Sequence, residues 1–199
     1  MIRPSIAIFA SGSGTNAQNI VEYFQNIPQV KIPLLITENE NATVLLRLQP
    51  YEINAIHVPI SQLNSPSCVL PLLQDQYQIT HIVLAGYLKL IPEFMVQAFP
   101  NKILNIHPGL LPKYGGKGMY GKRVHKAVKQ NKESISGVSI HLVNERFDEG
   151  AIVFQKKILL SEEDSVEHIE EKVRQLEYEY YPPVIHKWCL DQLPGQNNL

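Results

Sequence analysis

The chain has 199 residues, enough for one domain with a sizeable core and no need of disulfide or metal staples. Its formal net charge is -1, so the charge balance requires neither a nucleic acid nor an anionic membrane as partner. Two distant cysteines, Cys68 and Cys189, form no C-x-x-C, which argues against a disulfide scaffold or zinc knuckle and fits a reducing cytoplasm. There is no signal-type N-terminus and no apolar run of membrane-spanning length, so the expectation is a soluble cytoplasmic protein.

Residues 5–10 form a short apolar run, read as a strand. It ends in the turn Ser11-Gly12-Ser13-Gly14-Thr15-Asn16, and a helix-period stretch with Ile20, Val21 and Phe24 follows. Residues 31–37 read as a second strand and 42–48 as a helix. A third strand at 55–58 is stopped by Pro59. Residues 67–77 predict a helix, with Pro71 tolerable only in its first turn or so. The continuous apolar run 82–85 is typical of a strand buried on both faces. Residues 92–99 read as helix, 102–106 as strand, and 122–130 as helix.

Residues 137–143 and 151–160 alternate as strands and predict an antiparallel pair joined by 144–150. The charged stretch 166–188 predicts a long helix, kinked or broken at Pro182-Pro183, and 194–199 a frayed tail. The pattern predicts an α/β fold in a single domain over 1–199. Its sheet of about seven strands is mostly parallel and twisted, flanked by helices, with an antiparallel strand pair and a long helix at the C-terminal end. Ligands of such sheets sit at the carboxyl ends of the strands.

Two motifs fall at such ends. Asn105 and His107 are two residues apart at the close of an apolar strand, so they share one face, and Pro108 then blocks further pairing. An amide donor beside a titratable ring is equipment for handling a carbonyl. The alternative is two polar side chains satisfied by nearby backbone. The glycine turn leads into a helix N-terminus, a place for an anion. Ser13, Thr15 and Asn16 suit the gripping of one phosphate. Gly12, Gly14 and Ala17 also fit the dinucleotide spacing G-x-G-x-x-A, with Glu38 near the place of a ribose-binding acid, and a plain tight turn is the third reading.

Asp148 lies in the loop 144–150, which starts where a strand ends and faces the same cleft if the strands are arranged as expected. Beside His107 it would raise the pKa of the ring and fix its tautomer. As a plain turn residue before Gly150 it needs no function.

Together these segments resemble the glycinamide ribonucleotide formyltransferases of purine synthesis, over about residues 5–183. S-G-S-G-T-N at 11–16 is similar to the family's phosphate loop. N-I-H-P-G-L-L-P-K-Y at 105–114 resembles its catalytic strand end, and D-E-G-A-I-V-F-Q at 148–155 the segment with its catalytic Asp.

The resemblance implies formyl transfer from 10-formyltetrahydrofolate to glycinamide ribonucleotide, with no metal. Catalysis would fall to His107, Asn105 and Asp148. The substrate would be held by Gly12, Ser13, Gly14, Thr15, Asn16, Ala17 and Gln18 and by Arg174, Gln175, Leu176 and Glu177. The formylfolate would lie between Leu88, Lys89, Leu90 and Ile91 on one side and Asn105, Asn144, Glu145, Arg146, Phe147 and Asp148 on the other. Residues 1–100 would form a phosphate-binding half and 101–190 a folate-binding and catalytic half. The partners implied are these small molecules, without nucleic acid or membrane, for a monomer or homodimer.

The chain departs from the common pattern at Gly109, where a Ser is frequent, and at Lys89, where an Arg often occurs. A folate-binding Arg of some relatives has no counterpart in 61–73. Related enzymes acting on methionyl-tRNA or hydrolysing formylfolate usually carry a further domain. A dinucleotide-binding regulator remains the alternative of a different class. The basic stretch 113–132 reads as a solvated helix face that steers an anionic substrate, or else as a nucleic-acid patch. His57, His81, His125, His141, His168 and His186 show no metal-ligand spacing, and His141 suits the core or the support of a site.

Overall fold

The computed structural model describes residues 3–193; the tail expected to fray lies outside them. Seven strands are present: β1 (Ser5–Phe9), β2 (Lys31–Thr37), β3 (Asn54–His57), β4 (His81–Leu84), β5 (Ile103–His107), β6 (Ile135–Leu142) and β7 (Ile152–Leu159). They form one sheet in the order β3-β2-β1-β4-β5-β6-β7. β1 to β5 are parallel, and the β5–β6 and β6–β7 pairs are antiparallel.

The order follows from how the chain travels. It runs outward from β1 through β2 to β3, then returns to the other side of β1 at β4. That reversal leaves a crevice between the loops after β1 and β4, the usual ligand site of such sheets. Both faces of the central strands are covered. Ile6 and Ile8 of β1 join one core cluster, and Ala7 and Phe9 join the other. This explains why these strands read as continuous apolar runs.

Helices α1 (Thr15–Phe24), α6 (Lys122–Gln130) and α7 (Val166–Cys189) supply buried residues to the first cluster. α3 (Ile60–Leu63), α4 (Pro66–Leu70) and α5 (Glu93–Ala98) supply the second. α3 was not foreseen. The expected helix 42–48 contracts to the single turn α2 (Val44–Arg47). In the segment predicted as a helix over 67–77, Pro71 starts a wider turn that ends with the Tyr77 N–H donating to the Leu72 carbonyl at 3.2 Å. A proline has no N–H for the tighter ladder, and a five-residue loop accommodates it.

α7 runs unbroken through Pro182 and Pro183, so the break that the two prolines allow does not occur. An interior proline costs roughly 3 kcal/mol. Tertiary packing offsets this, because Tyr181, Pro182, Ile185 and Trp188 are all buried against the sheet. The Tyr181 hydroxyl also donates within reach of two strand carbonyls, of Leu84 at 2.9 Å and of Leu104 at 3.1 Å. Ser165 caps the N-terminus by accepting from the His168 N–H at 3.1 Å.

Tyr181→Phe keeps the ring and removes this anchor. It is expected to lower stability by about 1–3 kcal/mol, the cost of buried acceptors left without their donor. Urea denaturation of the two proteins checks this. An unchanged midpoint would show that the hydroxyl contributes nothing to the sheet–helix contact.

Candidate active site

A cavity of about 710 Å³ opens at the carboxyl ends of β1, β4 and β5. The turn after β1 forms one end. The Ser11 N–H donates to the Gly86 carbonyl at 3.1 Å, and the Ser11 hydroxyl accepts from the Leu88 N–H at 2.9 Å, so the loops after β1 and β4 are stapled together. Gly14 has φ +73°, and a Cβ there would lie 2.1 Å from Val44 Cγ2, so only glycine fits. Among the described residues, no acceptor takes the backbone N–H groups of residues 12–17. They surround the N-terminus of α1, which is an electrostatically favourable seat for an anion.

Ser13, Thr15 and Asn16 line this end of the cavity together with Arg174 and Glu177 of α7. The Asn16 amide donates to the Glu177 carboxylate at 2.7 Å. Burial raises the Glu177 pKa to about 7; the Asn16 hydrogen bond and the Arg174 charge oppose that rise.

The catalytic candidates meet at the middle of the cavity. Asn105 and His107 of β5 both line it, as their shared strand face requires. β6 lies opposite, pairing Asn105 with His141 and His107 with Ser139. Asp148, in the loop after β6, places one carboxylate oxygen 3.5 Å from His107 Nδ1 and the other 3.5 Å from His141 Nε2. It also accepts from the Gly116 N–H at 2.9 Å. His141 Nδ1 lies 2.8 Å from the Leu142 carbonyl, which only accepts, so the ring carries a hydrogen there. Its Nε2 is 3.1 Å from the Asn105 amide nitrogen and orients that side chain.

The electrostatics correct one expectation. Burial lowers the His107 pKa, and the Asp148 charge, which pulls upward, does not overcome it. The sequence shows the carboxylate but not that the ring is only 3% exposed. Burial also acts to raise the Asp148 pKa. The neighbouring His141 and His107 rings and the Gly116 N–H outweigh it, and the net shift is downward. The resting site therefore pairs a neutral His107 with an anionic Asp148 at neutral pH.

The third region is a slot. Leu88, Lys89, Leu90 and Ile91 line the cavity, as do Val143, Arg146 and Phe147. Leu88 and Leu90 are 46% and 43% exposed, so this wall offers apolar surface to a flat ring system. Residues 116–121 also line the cavity, with Gly116 and Gly118 at positive φ.

Several predicted site residues lie elsewhere. Gly12 and Gly14 shape the turn without lining the cavity, and Ala17 and Leu176 are buried in the core. The Gln18 amide binds Glu22, Tyr51 and Arg47 instead of entering the cavity. Gln175 and Glu145 are exposed, and Asn144 caps its own loop by accepting from the Arg146 N–H at 3.0 Å. Glu38 does not line the cavity either. Sequence reasoning missed the contributions of Tyr87, Met119, Tyr120, Arg123, His125 and Glu170. The glycine density of 114–121 was the available signal for the loop residues. In the basic stretch, Lys113 pairs with Glu133 and Lys122 with Glu167. Among the described residues, no group of three or more His, Cys, Asp or Glu side chains is arranged to hold a metal ion. No described helix is long and apolar enough to cross a membrane.

Residues 4–185 match the model of the formyl transferase family, and the chain belongs to that family. A phosphoribosylglycinamide formyltransferase of Haemophilus influenzae is 38% identical over 200 residues, covering 98% of this chain and 91% of its own. The Bacillus subtilis protein of the same name is 34% identical over 196 residues, covering 96% of this chain and 95% of its own. The crystal structure of glycinamide ribonucleotide transformylase 1 from Symbiobacterium toebii superimposes with a TM-score of 0.85 at 28% identity, covering 97% of this chain and 92% of that one. Within the family, the chain falls among the phosphoribosylglycinamide formyltransferases.

Glu177 gives a pH test. Its pKa is raised on folding, from 4.5 to about 7, so the unfolded chain releases this proton first as the pH rises. The contribution of Glu177 to stability is then fully present below about 4.5 and lost as the pH rises through 7. Glu177→Gln is expected to melt above the parent at pH 8 and with it at pH 4, the gain being at most about 3 kcal/mol. Calorimetric melting at both pH values checks this.

Proposed function

We propose that the protein transfers a formyl group from 10-formyltetrahydrofolate to the primary amine of glycinamide ribonucleotide, a step of de novo purine synthesis. The observation that carries the reading is one cavity holding three chemistries side by side: an anion seat, an amide–imidazole–carboxylate cluster, and an apolar slot. Membership of the formyl transferase family fits a reaction that needs all three. The chain is read as one catalytic unit over 1–199. The expected halves share the work, since residues 88–91 and 13–16 belong to the first and Asn105, Asp148 and Glu177 to the second.

The anion seat at residues 12–17 holds the substrate phosphate, with Ser13, Thr15 and Asn16 adding side-chain donors. Arg174 and Glu177 hold the sugar or glycinamide end, where a carboxylate suits hydroxyl and amine donors. Leu88, Lys89, Leu90 and Ile91 grip the pterin against Arg146, Phe147 and Asp148. The folate supplies the formyl group on a nitrogen able to leave. Both reactants are then held for direct attack, which removes much of the entropic barrier. No covalent nucleophile is required.

As the amine attacks, charge builds on the formyl oxygen. The Asn105 amide donates to it, held in orientation by His141. The amine must lose a proton. His107 lines the cavity, and its neutral ring can accept that proton. The resulting imidazolium is stabilised by Asp148 on Nδ1 and adds its charge to the oxyanion site before passing the proton to the leaving nitrogen. A ring that rests neutral is thus a proton acceptor first and a donor second.

Formyl transfer to glycinamide ribonucleotide, followed by folate absorbance, tests the reading. His107→Ala and Asp148→Ala are each expected to lose most turnover while retaining the parent's circular dichroism. Asn105→Ala is expected to lose about 100-fold in kcat, the scale of one oxyanion donor. Near-normal rates in the His107 or Asp148 variant would rule out this mechanism.

A further inference from the structure

Gln18 was expected to touch substrate, and it points away. Its carbonyl accepts from Arg47 Nη1 at 2.9 Å, and its amide nitrogen donates to Tyr51 at 3.1 Å and to Glu22 at 2.9 Å. The Tyr51 hydroxyl closes the circuit by donating to the same Glu22 oxygen. Arg47 Nε donates to the Ser13 carbonyl at 2.6 Å. Arg47 does not line the cavity, whereas Ser13 and Thr15 do.

This geometry bears on the direction of one peptide plane. Ser13–Gly14 is a trans peptide, the single cis bond among the described residues being Leu111-Pro112. In a trans peptide the C=O and the N–H point in opposite directions. A guanidinium that holds the Ser13 carbonyl therefore leaves the Gly14 N–H on the side of the turn away from Arg47. A flipped plane would present a carbonyl oxygen to an anion. Gly14, at φ +73°, has the conformational freedom to allow such a flip. Arginine suits this position because its planar fork bonds two acceptors at once.

We infer that Gln18 and Tyr51 are positioning residues: they hold the Arg47 guanidinium on the Ser13 carbonyl, so that the Gly14 N–H faces the phosphate of the substrate. The inference rests on the reading of residues 12–17 as the phosphate seat. Gln18, Glu22 and Tyr51 form the outer brace, and the substrate touches none of them.

The test uses Gln18→Ala, Tyr51→Phe and Arg47→Lys in the full chain. Each is expected to raise KM for glycinamide ribonucleotide about tenfold, the scale of one well-placed hydrogen bond. Values of kcat and of KM for the folate should stay within about twofold. With glycinamide riboside, which lacks the phosphate, the variants should match the parent. Calorimetric binding of inorganic phosphate should weaken in parallel. Unchanged KM values in an active protein, or equal losses with the riboside, would overturn the inference and leave the formyltransferase reading intact. A parent without formyl transfer, whose variants still bind phosphate more weakly, would overturn that reading and support the brace.

Discussion

One largely enclosed carboxylate ties together three segments of this molecule. Asp148 is held charged in a place where burial opposes charge, and it achieves this through three neighbours from three separate segments: His107, His141 and the Gly116 N–H. An uncompensated charge in such a place would cost several kcal/mol. The loop after β6, strand β5 and the glycine-rich segment are therefore tied to one another by the need to satisfy one ion. Asp148 itself sits at φ +59°, a conformation that few side chains accept.

The sheet explains why these partners can meet. Where β6 turns antiparallel to β5, side chains on directly opposed residues share a face. Asn105 and His141 become neighbours by register alone. Two glycines fit this arrangement. A Cβ at Gly137 would lie 2.0 Å from the Lys156 carbonyl, and one at Gly150 would lie 1.7 Å from that of Leu142. The backbone passes too close there for any side chain, near the start of β6 at Gly137 and beside the Asp148 loop at Gly150.

What could be read from the sequence was local. The Asn105–His107 pair is visible because two residues on one strand need only the strand's own periodicity. The glycine turn is visible for the same reason, and the alternation of apolar runs gave the α/β class. Apart from the short helices α2 and α3 and the wide turn at Pro71, the losses were non-local. His141 faces Asn105 only through pairing across 36 positions. Gln18 turns from the cavity because Arg47, 29 residues away, claims its carbonyl. The lowered pKa of His107 depends on how completely the fold closes over the ring. The unbroken α7 depends on buried contacts that outweigh two prolines, which local propensity cannot register.

That continuity has a consequence for how the chain can vary. α7 carries Glu177 into the cavity and, four residues on, Tyr181 into the sheet. Slightly more than one full turn separates them, so both point inward in phase. The interval acts as a ruler. Losing or gaining one residue between them would rotate one group by about 100° relative to the other. The protein would then have to abandon either its grip on the sheet or the acid at the mouth of its pocket. Loops elsewhere can drift in length, but this four-residue spacing cannot.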